Sequence, residues 1–254
     1  MNKLFILLLS VAIISCNSAK EDENEIPETS KEQSIINNSI QAHGLEGLGN
    51  AKFELTFRDI DYTYENTNGV YEYTRTQTDS LNRIVKDIMD NNTLVRYIDK
   101  EIEAITDEKR AAYTRSINSV IYFFRLPFGL NDPAVNKEYN GEREINGKTY
   151  HEIEVTFNQE GGGEDFDDVF LYWFDDEDFS MDYLAYLYHT DGGGLRFRKA
   201  INQRKMSGAL IQDYINFKPE DESTPISTIL DLYKADQLIE LSRIINEDVK
   251  IQFN

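Results

Sequence analysis

Apolar residues recur at helical spacing in only two stretches of this chain and at strand spacing through most of the rest. The first helical stretch opens at Ser30, a side chain suited to capping, with Gln33 three residues on to complete a capping box. Ile36 and Ile40 then share one face and Gly44 supplies the stop, which predicts a helix near 31–43. The second opens at Asp107, where Tyr113, Ile117, Val120, Ile121 and Phe124 form one stripe ended by Pro127 and Gly129, which predicts a helix near 107–124. Its last turn, Tyr122-Phe123-Phe124, carries more aromatic surface than one stripe needs, as expected of a helix that plugs a curved sheet.

Between and after these helices the period is two. Phe53, Leu55 and Phe57 alternate with Glu54, Thr56 and Arg58, and segments 61–65 and 70–77 continue the pattern around the Asn68-Gly69 turn, with further strands at 81–89 and 93–98. Past the second helix, His151, Ile153, Val155 and Phe157 share one face against Tyr150, Glu152 and Glu154. Strands then fit 170–174, 182–188 across the acidic turn 175–178, 195–201 and 209–217, while the tail 237–253 fits either a helix or two short strands, with strands preferred. Strands at such short spacing, without helices between them, imply antiparallel pairing. The expected fold is mainly β (α+β): one large curved antiparallel sheet, a half-open barrel, wrapped around a few helices and lined inside by aromatic and aliphatic side chains.

The amino terminus changes the picture. Lys3, the apolar run 4–14 and then Ser15-Cys16 have the length of a secretion signal and are too short for a permanent membrane span. Ile13-Ile14-Ser15-Cys16 resembles the lipobox of bacterial lipoproteins, so residues 1–15 are expected to be removed and Cys16 to carry lipid. Cys16 is the single cysteine, which leaves no thiol for a disulfide, catalysis or zinc. Residues 16–30 read as an acidic flexible tether ahead of a single folded domain, 31–254. Lys20-Glu21-Asp22-Glu23 resembles a surface-export tag, although acidic tethers are common. The place implied is the outer membrane, with periplasmic face and cell surface both open.

A formal net charge of −20 repels phosphate backbones and anionic headgroups, so nucleic acid is not an expected partner and membrane attachment rests on the lipid. No catalytic signature stands out. His43, His151 and His189 lack H-E-x-x-H spacing and read as packed, hydrogen-bonded histidines, and no G-x-S-x-G elbow is present. The glycine runs 161–163 and 192–194 read as turns. The acidic clusters at 164–168 and 175–178 lack the glycine and closing glutamate of a calcium loop and read as solvated turns. No metal and no cofactor are expected. Arg196 and Arg198 share one strand face, opposite Leu195 and Phe197. With Tyr183 and Tyr186 of the preceding strand they form either a polar anchor at the mouth of an apolar cavity or a surface pair answering the acidic loops.

The segments Asn118–Phe123, Leu126–Asp132, Glu160–Gly163, Tyr172-Trp173-Phe174, Asp182–Tyr186 and Gly194–Arg198 together resemble an uncharacterised bacterial envelope lipoprotein family, domain of unknown function 6503, from about Ile35 to the carboxyl terminus. The resemblance implies an envelope location and a sheet like the half-open barrel of the lipoprotein carriers and receptors of the Lol type, which hold acyl chains inside. It supplies no established site residues. A deoxyribose-phosphate aldolase label borne by some relatives is rejected, because that chemistry belongs to alternating strands and helices with a Schiff-base lysine.

The leading expectation is a non-enzymatic binder of a lipid or acyl chain, with Tyr122, Phe123, Phe124, Phe128, Trp173, Tyr183, Tyr186, Arg196 and Arg198 as candidate lining. The alternatives are an assembly subunit with an outer-membrane protein partner, and an envelope hydrolase in which Arg196, His189 and acidic loop residues converge. Labelled palmitate fed to the producing cells is expected to enter the protein and to be lost entirely with Cys16→Ser; equal labelling of that variant would remove the anchor.

Overall fold

The computed structural model describes residues 29–160 and 166–254, so Cys16, most of the tether, the 161–163 glycines, Glu164 and Asp165 lie outside the described residues. Helix α1 (Lys31–Ala42) precedes β1 (Asn50–Phe57), β2 (Ile60–Thr67), β3 (Val70–Thr78), β4 (Ile84–Asp90), β5 (Leu94–Ile98) and β6 (Glu101–Glu103). Helix α2 (Asp107–Arg125) leads to β7 (Val135–Ile145), β8 (Lys148–Phe157), β9 (Val169–Asp175), β10 (Met181–Tyr188), β11 (Gly194–Met206) and β12 (Ala209–Lys218). Helix α3 (Ile229–Lys234), β13 (Ile239–Ile244) and β14 (Glu247–Phe253) complete the chain.

The architecture is mainly β and antiparallel and is not closed into a barrel. Its strands divide into two seven-stranded sheets where the alternation alone suggested one continuous layer: β14-β1-β2-β3-β4-β5-β6 and β13-β12-β11-β10-β9-β8-β7. Each is a meander of consecutive strands, and only β14 crosses back, to pair with β1.

Register explains the first core. Ile251, Phe53, Tyr64, Tyr73, Met89 and Leu94 are successive cross-strand partners and all are buried, so one row of side chains runs across six strands. Phe53 stacks on Tyr64 with centroids 4.5 Å apart and Tyr64 on Tyr73 at 5.2 Å, contacts that add about 0.5–1.5 kcal/mol each beyond their burial. The next row, Leu55, Tyr62, Arg75, Asp87 and Arg96, is part charged. The fully buried Asp87 accepts from Arg75 at 2.6 Å and Arg96 at 2.7 Å, while Arg75 also donates to Ser116 of α2 and the Arg96 guanidinium lies 3.5 Å from the Tyr113 ring centroid. Together with Ile117 and Ile121, buried on the inner face of α2, this network docks the helix to the first sheet.

The second sheet is buried on both faces. Its inner face carries Ile153, Val155, Tyr172, Phe174 and Leu184, and its outer face carries Tyr150, Leu171, Trp173, Ala185, Leu195 and Phe197 beneath Ile229 and Leu230 of α3. Trp173 is fully buried there and donates from Nε1 to Glu152 at 2.8 Å. Neither α3 nor β7 is among the elements expected from the sequence. β7 is an edge strand of alternately half-buried and exposed polar residues with a bulge between Tyr139 and Gly141, so its alternation carries little apolar contrast.

Helix α1 is tied to the second sheet through its end. Ser30 Oγ accepts from Gln33 N, but the Gln33 side chain turns to Asn37 and Asn131, so only half of the expected capping box forms. Gly44 adopts φ +63° and its Cα hydrogen faces the Gly208 carbonyl, where a Cβ would sit 2.3 Å from that oxygen. His43 is buried, and its Nε2 accepts from Met181 N at 3.0 Å. Burial lowers the His43 pKa from 6.5 to about 4, and protonating Nε2 would place two donors face to face.

Two outcomes follow. Asp87→Asn leaves two desolvated guanidiniums without their carboxylate and should cost about 3–5 kcal/mol in urea unfolding. For His43, the unfolded chain binds the proton first as pH falls, so stability is lost between pH 6.5 and about 4, by on the order of 3 kcal/mol in all. Melting between pH 6.5 and 5 should therefore fall more steeply for the unsubstituted protein than for His43→Gln; parallel slopes would show that His43 does not titrate this way.

Candidate functional site

Three consecutive rings at the end of α2 reach both sheets. Phe124 packs on Phe53 of the first sheet at 4.5 Å between centroids, Tyr122 shares a hydrogen bond with Tyr172 of the second sheet at 2.6 Å, and Phe123 lies against Tyr186 at 5.0 Å. The helix therefore stands between the two inner faces. Beside it is a cavity of about 1070 Å³, walled by Phe57, Ile60, Tyr62, Tyr71, Met89 and Leu94 of the first sheet region, by Ala111, Val120, Tyr122 and Phe123 of α2, and by Phe157, Phe170, Tyr186 and Tyr188 of the second. Arg58, Asp90, Asp107, Arg110, Arg115 and Asp168 add charged groups to the same lining. A second cavity of about 80 Å³ adjoins it, sharing Phe57, Ser119, Val120 and Phe123.

Of the candidate lining residues, Tyr122, Phe123 and Tyr186 line the large cavity, and Phe123, Phe124 and Arg198 line the small one. Phe128 instead packs beside the Arg125 guanidinium, 5.7 Å from its ring centroid, in a short turn after α2, and lines neither cavity. Trp173 and Tyr183 are on the other face of the second sheet. The reason is parity: Tyr183 and Tyr186 are three residues apart on one strand, so one points out where the other points in. Arg196 and Arg198 do share a face, but Arg196 is satisfied locally, donating to Tyr188 Oη at 2.8 Å and to the Leu195 carbonyl. The inward row Phe57, Ile60, Tyr62, Tyr71 and Met89 was not singled out from the sequence. Its signal was present in the alternation of β1 to β4, but partnership with α2, which begins at Asp107, was not.

Acid–base chemistry in this lining is limited. Burial raises the Tyr122 and Tyr172 phenols far above their usual range, and Tyr214 is pushed up to about 12. His151 lies 2.9 Å from Asp176 and 3.3 Å from Tyr139 Oη, and His189 lies 3.5 Å from Asp168 and 3.7 Å from Asp167. These histidines belong to two groups, Glu142–His151–Asp176 and Asp167–Asp168–His189, whose donor atoms lie within 4.8 Å of one another. In the first, Lys31 already supplies positive charge, 3.9 Å from Glu142 and 2.8 Å from Tyr139 Oη. Among the described residues no hydrogen bond or ion pair joins His189 to Arg196, the pair on which a hydrolytic site was to be built. The 175–178 turn joins β9 to β10, with Asp175 accepting from the backbone of Glu177 and Asp178 and from Lys148.

The sequence model of a family of unknown function, DUF6503, matches residues 2–246, and the chain belongs to that family. No curated protein matches the sequence. Among solved structures, the fold is similar to a LolA superfamily protein from Nitrosomonas europaea, with 12% identity, 86% of this chain and 92% of that one covered and a TM-score of 0.47. It is also similar to a DUF1329 family protein from Desulfovibrio piger, with 10% identity, 87% and 93% coverage and a TM-score of 0.47. Similarity at this level carries no inference about a ligand.

Proposed function

We propose that this member of the family is a non-enzymatic binding protein of the bacterial envelope. It holds an apolar ligand, a lipid or an acyl chain, in the cavity beside α2, and lipid on Cys16 tethers it to the outer membrane. The observation that carries the reading is the cavity itself. At about 1070 Å³ it lies just above the range of about 300–1,000 Å³ usual for small-molecule sites. About half of its lining residues are aromatic or aliphatic, contributed by both sheets and α2, and covering such surface with an apolar chain in place of water is favourable. Its charged groups lie mainly on loops and the first half of α2, while the end of α2 and the second sheet supply rings. That division suits a ligand with an apolar body.

The test uses the full chain carrying Cys16→Ser, so that no attached lipid competes. Native mass spectrometry after detergent-free purification is expected to show bound lipid, and a fluorescent fatty acid to saturate one class of site. Ser119→Trp, on the wall common to both cavities, should weaken that binding about ten-fold or more by filling space without lowering the melting temperature. No copurified lipid together with no saturation would end the proposal in favour of an assembly role.

A further inference from the structure

Across the second sheet the register aligns Ile153, Tyr172, Leu184, Arg198 and Asn216, so a guanidinium follows three apolar side chains into the interior. Arg198 is 8% exposed. Its Nη2 donates to Tyr186 Oη at 2.8 Å and the Phe123 ring centroid lies 3.7 Å from the guanidinium carbon, but its buried Nε has no acceptor. Three other inward arginines each meet a carboxylate: Arg75 and Arg96 at Asp87, and Arg125 at Asp132, 3.3 Å away. Arg198 meets none among the described residues. A desolvated cation without a counter-charge is costly, and the face of an aromatic ring offsets only part of that cost.

We propose that Arg198 receives the anionic head of a single-chain amphiphile whose tail occupies the larger cavity, a proposal that rests on the reading of that cavity as a lipid site. The position suits the role. Arg198 lines the small cavity together with Gln212, Tyr214 and Asn246, and Phe123 is both the ring over the guanidinium and a wall shared with the large cavity. Turning Phe123 aside would expose the cation to a head group while the tail stays among the rings. Gln212 cannot substitute as the donor, because its amide nitrogen is committed to the Met181 carbonyl and Tyr214 Oη. An oxyanion supplies what is missing: an acceptor for Nε and a charge for the guanidinium.

Palmitate, hexadecyl phosphate and hexadecanol share one tail length and separate a carboxylate, a phosphate and an uncharged head. Their affinities are measured by displacement of an uncharged fluorescent ester from the Cys16→Ser chain, alone and with Arg198→Met or Arg198→Lys. At least one anion is expected to bind about ten-fold or more tightly than the alcohol, which also tells carboxylate from phosphate. Arg198→Met should erase that preference, read as the ratio of anion to hexadecanol affinity, and Arg198→Lys should keep part of it. Equal affinities for all three ligands, or a preference that survives Arg198→Met, overturns the head-group assignment and leaves the cavity reading standing. Failure of all three ligands to bind removes the cavity reading itself. Should Arg198→Met not fold, carboxyl-labelled palmitate on the unsubstituted chain decides by carbon NMR: a carboxyl that stays ionised below its pKa in water supports the contact, and one that titrates as in water overturns it.

Discussion

The wedging of α2 between two sheets is the constraint from which the rest of the structure follows. A helix with its side chains is about 10–12 Å across, whereas seven strands at about 4.8 Å spacing present a face roughly three times as wide. One helix therefore cannot cover either inner face. Its reach is extended by Phe124 toward Phe53 on one side and by Tyr122 and Phe123 toward Tyr172 and Tyr186 on the other, and α1 fills part of the remaining width where His43 meets Met181. What these elements leave uncovered is an open cavity lined by rings and aliphatic side chains of both sheets together with polar and charged groups of the loops and α2. A large cavity is thus a geometric result of the layer arrangement rather than a local packing fault.

The polar interior has a division of labour. Asp87 holds two arginines against Tyr113 and Ser116 of α2, which fixes the helix on the first sheet with directional contacts that an apolar row would not supply. On the second sheet the corresponding link is a pair of buried, neutral phenols, whose pKa values burial raises further above the ordinary range. One side of the wedge is held by charge and the other by neutral hydroxyls and rings. The link between Tyr122 and Tyr172 leaves rings, not charges, where α2 meets the second sheet.

Alternation made the faces of individual strands legible: Phe53, Leu55 and Phe57 of β1, and Ile153, Val155 and Phe157 of β8, do point to one core. It failed where a face is not simply wet or dry. Arg75 and Asp87 stand at inward positions that the apolar alternation does not mark, because a salt bridge across two strands has no signature within either strand. Trp173 and Tyr183 are apolar and read as inward, but α3, only six residues long, covers the opposite face of the second sheet and gives it a core of its own. Parity alone would have separated Tyr183 from Tyr186. Depth was not legible at all: Arg196 and Arg198 differ by one strand repeat and each donates to a tyrosine of β10, yet only Arg198 is also covered by the Phe123 ring of α2 and buried.

The charge of the chain bears on how such a cavity would recognise anything. A formal charge of −20 sets up a field that opposes every anion at long range, but at physiological salt that field decays over roughly 8 Å. Recognition of a negative group must then depend on a short contact from which water and salt are excluded. Exposed cations do this poorly, because solvent screens them to the level of a surface ion pair. A guanidinium inside a sheet row, next to leucine on one strand and beneath phenylalanine from the helix, escapes that screening. An acidic exterior and a buried cation are therefore compatible: the first opposes anions at long range, and under the proposed assignment the second would act only at contact.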